Sequence, residues 1–293
     1  MEKITERAVR ALLPRRHKGG HKGNFGRVCV YGGAVGYTGA PAFAAEAAVR
    51  CGSGLVTVLV PEGVYPIVAA RCACAMAKPV PDTYPALLEE LAGADSAAIG
   101  PGLGRSQGAE RNVLSLLGDL NIPVVLDADG INAAAAHIDV LTARRSPTVV
   151  TPHEGEFARL GGDLALGRER AAAEFVRRHG CVLVLKGPGT IVAAPDGRLV
   201  ENTTGNCGMA KGGSGDVLAG MILSLIGQGA EPFDAAVCAV WLHGRAGDLC
   251  ARDLTEYAMT PADLIGRLPD AFAQLLSETG KERTEQGPAF YKN

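Results

Sequence analysis

The sequence has no marked excess of charge, few aromatic residues and no long apolar run. It contains 29 basic and 31 acidic residues, so its formal net charge is −2, and aromatic residues make up only 5%. Without a basic surface or aromatic stacking platforms, we expect no binding to nucleic acid or to an anionic membrane. No run approaches the roughly 18 apolar residues of a membrane helix. The first residues do not resemble a signal peptide, so we expect a cytoplasmic protein.

The sequence also lacks a Cys-x-x-Cys pair, although it contains eight cysteines. No histidine spacing completes a zinc site. Cys29, Cys181 and Cys238 stand inside apolar runs. We therefore expect buried free thiols in a reducing compartment rather than disulfides or a metal site.

What the sequence does contain is an alternation of short apolar runs with alanine-rich segments. The apolar runs predict strands at Arg27–Tyr31, Leu55–Val60, Ala97–Ile99, Val124–Asp127, Thr148–Thr151 and Val182–Lys186. The segments between them predict helices at Ala40–Cys51, Ala109–Leu117, Ile131–His137, Glu154–Leu160 and Arg168–Arg178. Continuously apolar strands indicate burial on both faces. The alternation therefore predicts a doubly wound α/β fold with a mostly parallel central sheet.

The pattern changes after the last of these strands. Thr190–Ala194 and Arg198–Glu201 flank a Pro-Asp-Gly turn, which predicts a hairpin. Two long helices are predicted next, at Gly215–Ile226 and Pro232–Arg252. Because no repeat or linker interrupts the chain, we predict one domain over residues 1–280 and a mobile polar tail over residues 281–293.

Glycines and ionisable residues follow the predicted strands. They are Gly32-Gly33, Gly100–Gly104, Asp127 with Asp129, Thr151-Pro152-His153, and Lys186–Thr190. Ligands bind beyond the carboxyl ends of the strands in an open parallel sheet, so this edge is the predicted site. Asp127 and Asp129 are candidates to bind substrate or metal, or else they cap a turn. His153 is a further candidate, although a lone histidine is often structural.

A glycine-rich segment opens the predicted helix that begins near residue 215. Gly212, Gly213, Ser214 and Gly215 precede Asp216, and free N–H groups at such a helix start form an anion hole for phosphate. Asp216 accepts a proton from an attacking hydroxyl, holds a metal, or merely caps the helix.

Four other features of the sequence bear on the site. Lys186 and Thr190 either contact a nucleotide or belong to a plain strand connection. The loop Gly100–Gly104 resembles part of a dinucleotide fingerprint, but no Gly-x-Gly-x-x-Gly follows the first strand, which disfavours a Rossmann oxidoreductase. A basic N-terminal patch either touches phosphates or is a solvated loop; it comprises His17, Lys18, His21 and Lys22. We interpret His243, inside a predicted helix, as structural.

Taken in order, the motifs resemble the ADP-dependent NAD(P)H-hydrate dehydratases of the ribokinase-like superfamily. The matching motifs are His21-Lys22-Gly23-Asn24-Phe25-Gly26, Tyr37-Thr38-Gly39-Ala40-Pro41, Gly52-Ser53-Gly54-Leu55-Val56, Gly100-Pro101-Gly102-Leu103-Gly104, Thr151-Pro152-His153, Lys186-Gly187 and Gly205–Asp216. The resemblance extends from about His21 to about Gly247. It implies a three-layer αβα sandwich. It also implies dehydration of the (6S) hydrate of NADH or NADPH, with ADP consumed to AMP and phosphate and with Mg²⁺ as cofactor.

The resemblance assigns roles by position. It implies that Ala40, Gly104, His153 and Asp216 contact the hydrate, with Asp216 catalytic. It implies that the nucleotide is held by Lys186, Gly187, Pro188, Gly189, Thr190 and Gly215. No metal ligands are assigned. Members of the family usually have Pro at the position of Cys207 and Thr at those of Lys211 and Ser214. We expect Cys207 to loosen the turn and Lys211 to add a cation beside the anion hole.

Two other functions fit the same residues: a kinase for a small alcohol, such as a vitamin precursor or a sugar, and a nucleotide-sensing module without turnover. A kinase product keeps the phosphoryl group, whereas a dehydratase releases it as phosphate. The resemblance further implies a homo-oligomer, a tetramer in many relatives. It also implies a separate NAD(P)H-hydrate epimerase as functional partner, because the match begins near residue 20. The residues themselves favour neither ADP over ATP nor NADH hydrate over NADPH hydrate.

Overall fold

A computed structural model describes residues 1–277, in which ten strands form one sheet. The strands are β1 (Glu2–Lys3), β2 (Arg27–Tyr31), β3 (Leu55–Val60), β4 (Met76–Pro79), β5 (Ser96–Ile99), β6 (Val124–Leu126), β7 (Thr148–Val150), β8 (Val182–Leu185), β9 (Ile191–Ala193) and β10 (Leu199–Glu201). Their order is β1-β10-β9-β8-β7-β6-β5-β2-β3-β4. Within residues 1–277 only β9 runs against its neighbours, β8 and β10, so the sheet is mostly parallel as predicted.

Helices cover both faces of the sheet. They are α1 (Glu6–Leu12), α2 (Gly39–Arg50), α3 (Tyr65–Arg71), α4 (Tyr84–Ala92), α5 (Gln107–Asp119), α6 (Asp129–Ala135), α7 (Asp139–Ala143), α8 (Glu154–Arg159), α9 (Arg168–His179), α10 (Ser214–Gly227), α11 (Pro232–Ala258) and α12 (Pro261–Ser277). Side chains alternate across each strand. Val28 and Val30 join one core cluster, with α1–α3 and α10–α12, while Cys29 and Tyr31 join the other, with α4–α9. The predicted αβα sandwich is therefore confirmed.

The predicted strands agree with the structure within one residue at each end, and the predicted hairpin is β9–β10. The prediction missed β1 and β4, which lie at the two edges of the sheet. Strand β4 is mostly exposed, so it lacks the continuous apolar run that marks the central strands. Helix α11 continues past the predicted Arg252, and Thr255 interrupts it with a φ of 66°. The predicted tail, 281–293, lies outside the described residues, and the single domain stays a prediction.

Helix α10 runs from the carboxyl ends of the parallel strands to their amino ends, and its start positions the site. Its first turn lies at the carboxyl edge, whereas Gly227, its last residue, touches the backbone of Gly26 before β2. Gly220 packs against α2 so closely that a Cβ there would lie 2.0 Å from the carbonyl oxygen of Ala44. This contact determines the position of α10 along its own axis, and so the position of its first turn relative to the ends of the strands.

Six of the eight cysteines are buried, whereas Cys74 and Cys207 are exposed. The expectation of buried thiols was therefore wrong for these two, which lie in turns rather than in apolar runs. Within residues 1–277, no helix combines the length and the apolar character needed to cross a membrane.

Candidate functional site

The loops that leave β2, β5, β6, β7 and β8 meet at one edge of the sheet. Gly33 donates its N–H to Pro101 O at 2.9 Å, and a Cβ at Gly100 would lie 1.9 Å from Asp127 O. Only glycine allows that second approach, since Gly100 also has a φ of 122°. His153 pairs with Lys186 in a parallel bridge. The structure thus brings together the residues that the sequence placed after the strands.

A buried charge cluster lies at this edge. Lys186 Nζ donates to Asp127 Oδ1 at 3.1 Å, and Thr151 Oγ1 donates to the same oxygen at 2.7 Å. Glu156 Oε2 lies 3.9 Å from Lys186 Nζ. Burial disfavours the charge of Lys186, but Asp127, Glu156 and Asp216 more than offset this and raise its pKa. Lys186 is therefore a cation held among carboxylates.

The glycine-rich helix start lies against this lysine. Gly213 precedes α10 with a φ of 104°, and a Cβ at Gly215 would lie 3.2 Å from Lys186 Nζ. Gly212 is exposed, while the Ser214 side chain is buried. The first N–H groups of a helix have no intrahelical acceptor. The helix start and Lys186 therefore supply N–H donors of the kind that hold a phosphate.

Asp216 lies in the first turn of α10, as the sequence predicts. Burial raises the pKa of its carboxyl to about 7, and Asp127 and Asp129 add to the rise, while Lys186 opposes it. A carboxylate with a pKa near neutrality both exists in its basic form and binds a proton well. Asp216 is thus suited to act as a general base.

His153 caps helix α8 at the same edge. Its Nδ1 accepts the N–H groups of Gly155 at 3.0 Å and of Glu156 at 3.3 Å. Because Nδ1 is an acceptor, the neutral ring carries its proton on Nε2. The side chain is 55% exposed. Its Nε2 lies 3.6 Å from Glu156 Oε1, so the ring also contacts the buried carboxylate beside Lys186.

The other two candidates for hydrate binding lie beside one loop. Gly104 donates its N–H to Asp129 Oδ2 at 2.9 Å, and a Cβ at Gly102 would lie 2.9 Å from the Ala40 Cβ. The loop Gly100–Gly104 is thus bound by Asp129, at the start of α6, and packs against Ala40, in α2. The backbone at these positions forms a wall of the site.

The predicted nucleotide loop, Lys186–Thr190, follows β8. The Thr190 hydroxyl donates to Gly187 O at 3.1 Å and so closes the loop on itself. Pro188 and Gly187 are exposed, and Gly189 and Thr190 are half-buried. The loop therefore offers its backbone to a ligand.

The expectation for Lys211 was wrong, whereas the structure agrees with one of the two interpretations of the basic N-terminal patch. Lys211 does not face the anion hole, because its Nζ donates to the carbonyl oxygens of Tyr257 and Met259 at the end of α11. The basic N-terminal patch lies at the opposite edge of the sheet: a Cβ at Gly54, just before β3, would meet the Lys22 carbonyl. The patch is a solvated loop, since the side chains of its four residues, His17, Lys18, His21 and Lys22, are exposed.

Cys207 begins a short turn, Cys207–Met209, and its Sγ donates to Glu256 Oε2 at 3.0 Å. This contact ties the turn to α11, against the expectation that Cys207 loosens it.

The structure places three further residues near the site, of which the sequence analysis had singled out only His243, as structural. Glu156 is buried beside Lys186, and Arg168 contacts the loop after β8. His243, interpreted as structural, is buried near Ser214, and burial lowers its pKa to about 4. The spacing His153-x-x-Glu156 is a capping-box pattern, which is the one signal that marked Glu156. Within residues 1–277, no group of three His, Cys, Asp or Glu side chains is arranged to hold a metal.

A family model described as NAD(P)H-hydrate dehydratase matches residues 28–270. The bifunctional NAD(P)H-hydrate repair enzyme Nnr of Moorella thermoacetica is 45% identical over an alignment of 289 residues, and the alignment covers 94% of this chain and 54% of that protein. The chain spans about half the length of the curated relatives it matches.

Two solved structures have a fold similar to this one over almost the whole chain. A ribokinase-like superfamily protein of Enterococcus faecalis superposes with a TM-score of 0.85 at 28% identity, covering 94% of this chain and 96% of that one. An ADP/ATP-dependent NAD(P)H-hydrate dehydratase of Bacillus subtilis, co-crystallized with ATP and Mg²⁺, gives a TM-score of 0.81 at 31% identity, covering 94% and 98%.

Proposed function

Since this chain belongs to the NAD(P)H-hydrate dehydratase family, we propose that it dehydrates the (6S) hydrate of NADH or NADPH and regenerates the reduced cofactor. ADP is the co-substrate and leaves as AMP and phosphate. The observation that carries the proposal is Asp216, a base with a pKa of about 7 beside Lys186 at a helix start. A base next to an anion hole is the arrangement that phosphoryl transfer to a hydroxyl needs.

The reaction is a phosphorylation followed by an elimination. Asp216 takes the proton of the hydroxyl on ring carbon C6, and that oxygen attacks the terminal phosphorus of ADP, whose bond to the bridging oxygen breaks to release AMP. Hydroxide is a poor leaving group, whereas phosphate is a good one. The lone pair of the ring nitrogen then expels phosphate, and loss of a proton from C5 restores the reduced nicotinamide. Lys186 and the start of α10 hold the phosphoryl group in position throughout.

The nucleotide is held by Lys186, Gly187, Pro188, Gly189, Thr190 and Gly215 in this proposal. Mg²⁺ fits the donor set, because the oxygen atoms of Asp127 and Glu156 are hard ligands and Mg²⁺ is usually bound by one or two carboxylates together with substrate phosphates. When bound, the ion would neutralise phosphate charge.

The hydrate is held by backbone and by one side-chain donor. Ala40 and Gly104 line the wall that receives it, and the Nε2–H of His153 donates a hydrogen bond. These contacts place the C6 hydroxyl toward Asp216.

One experiment tests the reaction. NADH hydrate is incubated with the protein and ADP, or with ATP, and both reduced-nicotinamide absorbance and free phosphate are followed. We expect both to rise together. A stable phosphorylated product would instead show a kinase, and no nucleotide consumption with any hydroxylated substrate would favour a nucleotide-sensing module.

Asp216→Asn tests the catalytic role. We expect turnover to fall by at least about a thousandfold, because an amide cannot take the hydroxyl proton, while ADP affinity stays within about threefold. The raised pKa means that the folded state binds this proton more tightly than the unfolded state. Folding stability therefore falls as pH rises from 3.8 to about 7. The variant avoids that loss, so it should unfold at a higher temperature than wild type at pH 8. Near-normal turnover would exclude the proposed base.

Location and assembly are proposed on family resemblance. We propose a cytoplasmic homo-oligomer, with a tetramer as the form to test by light scattering. An NAD(P)H-hydrate epimerase is the proposed functional partner, because curated relatives are named bifunctional repair enzymes and this chain matches about half of each.

A further inference from the structure

One guanidinium group holds the loop Lys186–Thr190 from outside the site. Arg168, the first residue of α9, donates from Nη1 to Pro188 O at 2.6 Å and to Gly189 O at 3.2 Å, and from Nη2 to Leu185 O at 3.2 Å. The approach is close, since a Cβ at Gly187 would lie 2.8 Å from Nη2. No other side chain within residues 1–277 donates to three backbone carbonyls of this loop and its strand.

These bonds decide where the loop's own donors point. In a trans peptide the C=O of one residue and the N–H of the next point in opposite directions. Because Pro188 O and Gly189 O face Arg168, the N–H groups of Gly189 and Thr190 face away from it. Neither N–H donates to another group within residues 1–277. Both residues are half-buried rather than enclosed.

Arg168 also reaches the other side of the site. Its Nε lies 3.2 Å from Glu154 Oε1, and Glu154 is the first residue of α8, directly after His153. One side chain therefore connects the loop after β8 to the helix start that presents His153. A lysine could not make these contacts together, because an ammonium group is a point donor whereas guanidinium is a planar fork.

We propose that Arg168 is a positioning residue for the nucleotide: by binding the carbonyls of Leu185, Pro188 and Gly189 it directs the free N–H groups of Gly189 and Thr190 toward the phosphates or ribose of a nucleoside diphosphate. The assignment of a nucleotide to this loop rests on the proposed function, whereas the ordering of the loop by Arg168 does not. Preorganised donors bind more tightly because less ordering entropy is lost on binding.

The test compares Arg168→Ala, Arg168→Gln and Arg168→Lys with Arg170→Ala. Arg170 lies on the same helix and pairs with Glu174 at 2.9 Å, away from the loop, so it is the matched control. In Arg168→Ala we expect the KM for ADP to rise about tenfold and the KM for the hydrate to stay within about twofold. The glutamine and lysine variants keep one donor and should lie between Ala and wild type. Arg170→Ala should match wild type.

Amide hydrogen exchange in the absence of ligand gives a second readout that does not need activity. We expect the peptide that contains Gly189 and Thr190 to exchange at least about fivefold faster in Arg168→Ala and Arg168→Gln than in Arg170→Ala. If the alanine variant does not fold, the glutamine and lysine variants decide the matter.

The outcomes separate the two proposals. If wild type shows no turnover, the proposed function fails, and unchanged exchange in the variants would still overturn the ordering role of Arg168. If exchange changes but the KM for ADP stays within about twofold of wild type in all three variants, Arg168 is merely structural and the inference is wrong.

Discussion

Turnover should rise with pH through about 7 and then level off, because the reaction needs the Asp216 carboxylate. Burial raises the pKa of this group to about 7, with Asp127 and Asp129 adding to the rise. Below that pH the carboxyl is protonated and cannot accept the hydroxyl proton. At pH 6 only about one-tenth of the molecules would carry the base, so kcat there should be about tenfold below its plateau.

Removing the neighbouring negative charges should move this profile in a known direction. Asp127→Asn and Asp129→Asn each remove a carboxylate that disfavours ionisation of Asp216, so its pKa should fall and the acid limb should shift to lower pH. We expect a shift of about one unit for Asp127→Asn, equivalent to ~1.4 kcal/mol, and a smaller one for Asp129→Asn. Neither shift reaches the ordinary value of 3.8, because burial is the largest cause and remains.

The assay is the pH dependence of kcat at saturating ADP and hydrate, scaled to each variant's own plateau. Scaling matters because Asp127→Asn also releases Lys186, and Asp129→Asn releases the N–H of Gly104. Protonation of ADP itself is the same for every variant, so differences between profiles report on the protein. Identical acid limbs in wild type and both variants would show that Asp216 is not the titrating group.

Two glycines of α10 should separate function from stability. Gly215→Ala places a Cβ 3.2 Å from Lys186 Nζ, so we expect the KM for ADP to rise about fivefold, with no loss of thermal stability because alanine favours helix; an unchanged KM would contradict the proposed contact. Gly220→Ala places a Cβ 2.0 Å from Ala44 O, so the free energy of unfolding should fall by about 2–3 kcal/mol in urea titrations. A variant as stable as wild type would show that α2 and α10 separate easily.

The sheet could be predicted because its central strands are buried on both faces. A run such as Leu55–Val60 must be apolar throughout to fit between two helical layers, and that requirement is visible in one sequence. Edge strand β4 has no such requirement, so its sequence carries no strand signal. Helix α12 was missed although its apolar side packs into the core, because Pro269 lies inside it and proline normally predicts a break.

The sequence predicted which loops meet at the site. It did not predict which side chains in those loops contact one another. Strand ends and glycines placed Asp127, His153, Lys186 and Asp216 at one edge, since topology alone determines that edge. The direction of the Lys211 side chain depends on where α11 ends. That end is six residues beyond the predicted one at Arg252, and no local pattern shows it. Arg168 was missed for the same reason: its carbonyl partners lie in a different element.

Three features of the site are unfavourable for folding, and none of them is visible in the sequence: a buried charge, a buried hydroxyl without a partner, and a strained backbone. Asp216 is held where burial disfavours its charge, and Ser214 Oγ is buried without a partner within residues 1–277. Between Asp127 and Asp129, Ala128 adopts a φ of 47°, a backbone conformation that costs about 1–3 kcal/mol for a residue with a Cβ. That residue turns the chain so that one carboxylate faces Lys186 and the other faces Gly104. Prediction from local sequence assumes the conformation of lowest free energy at each residue. It fails where the surrounding sheet and helices hold a residue in a conformation of higher free energy. The costs at Asp216, Ser214 and Ala128 therefore support placing the reaction at this edge.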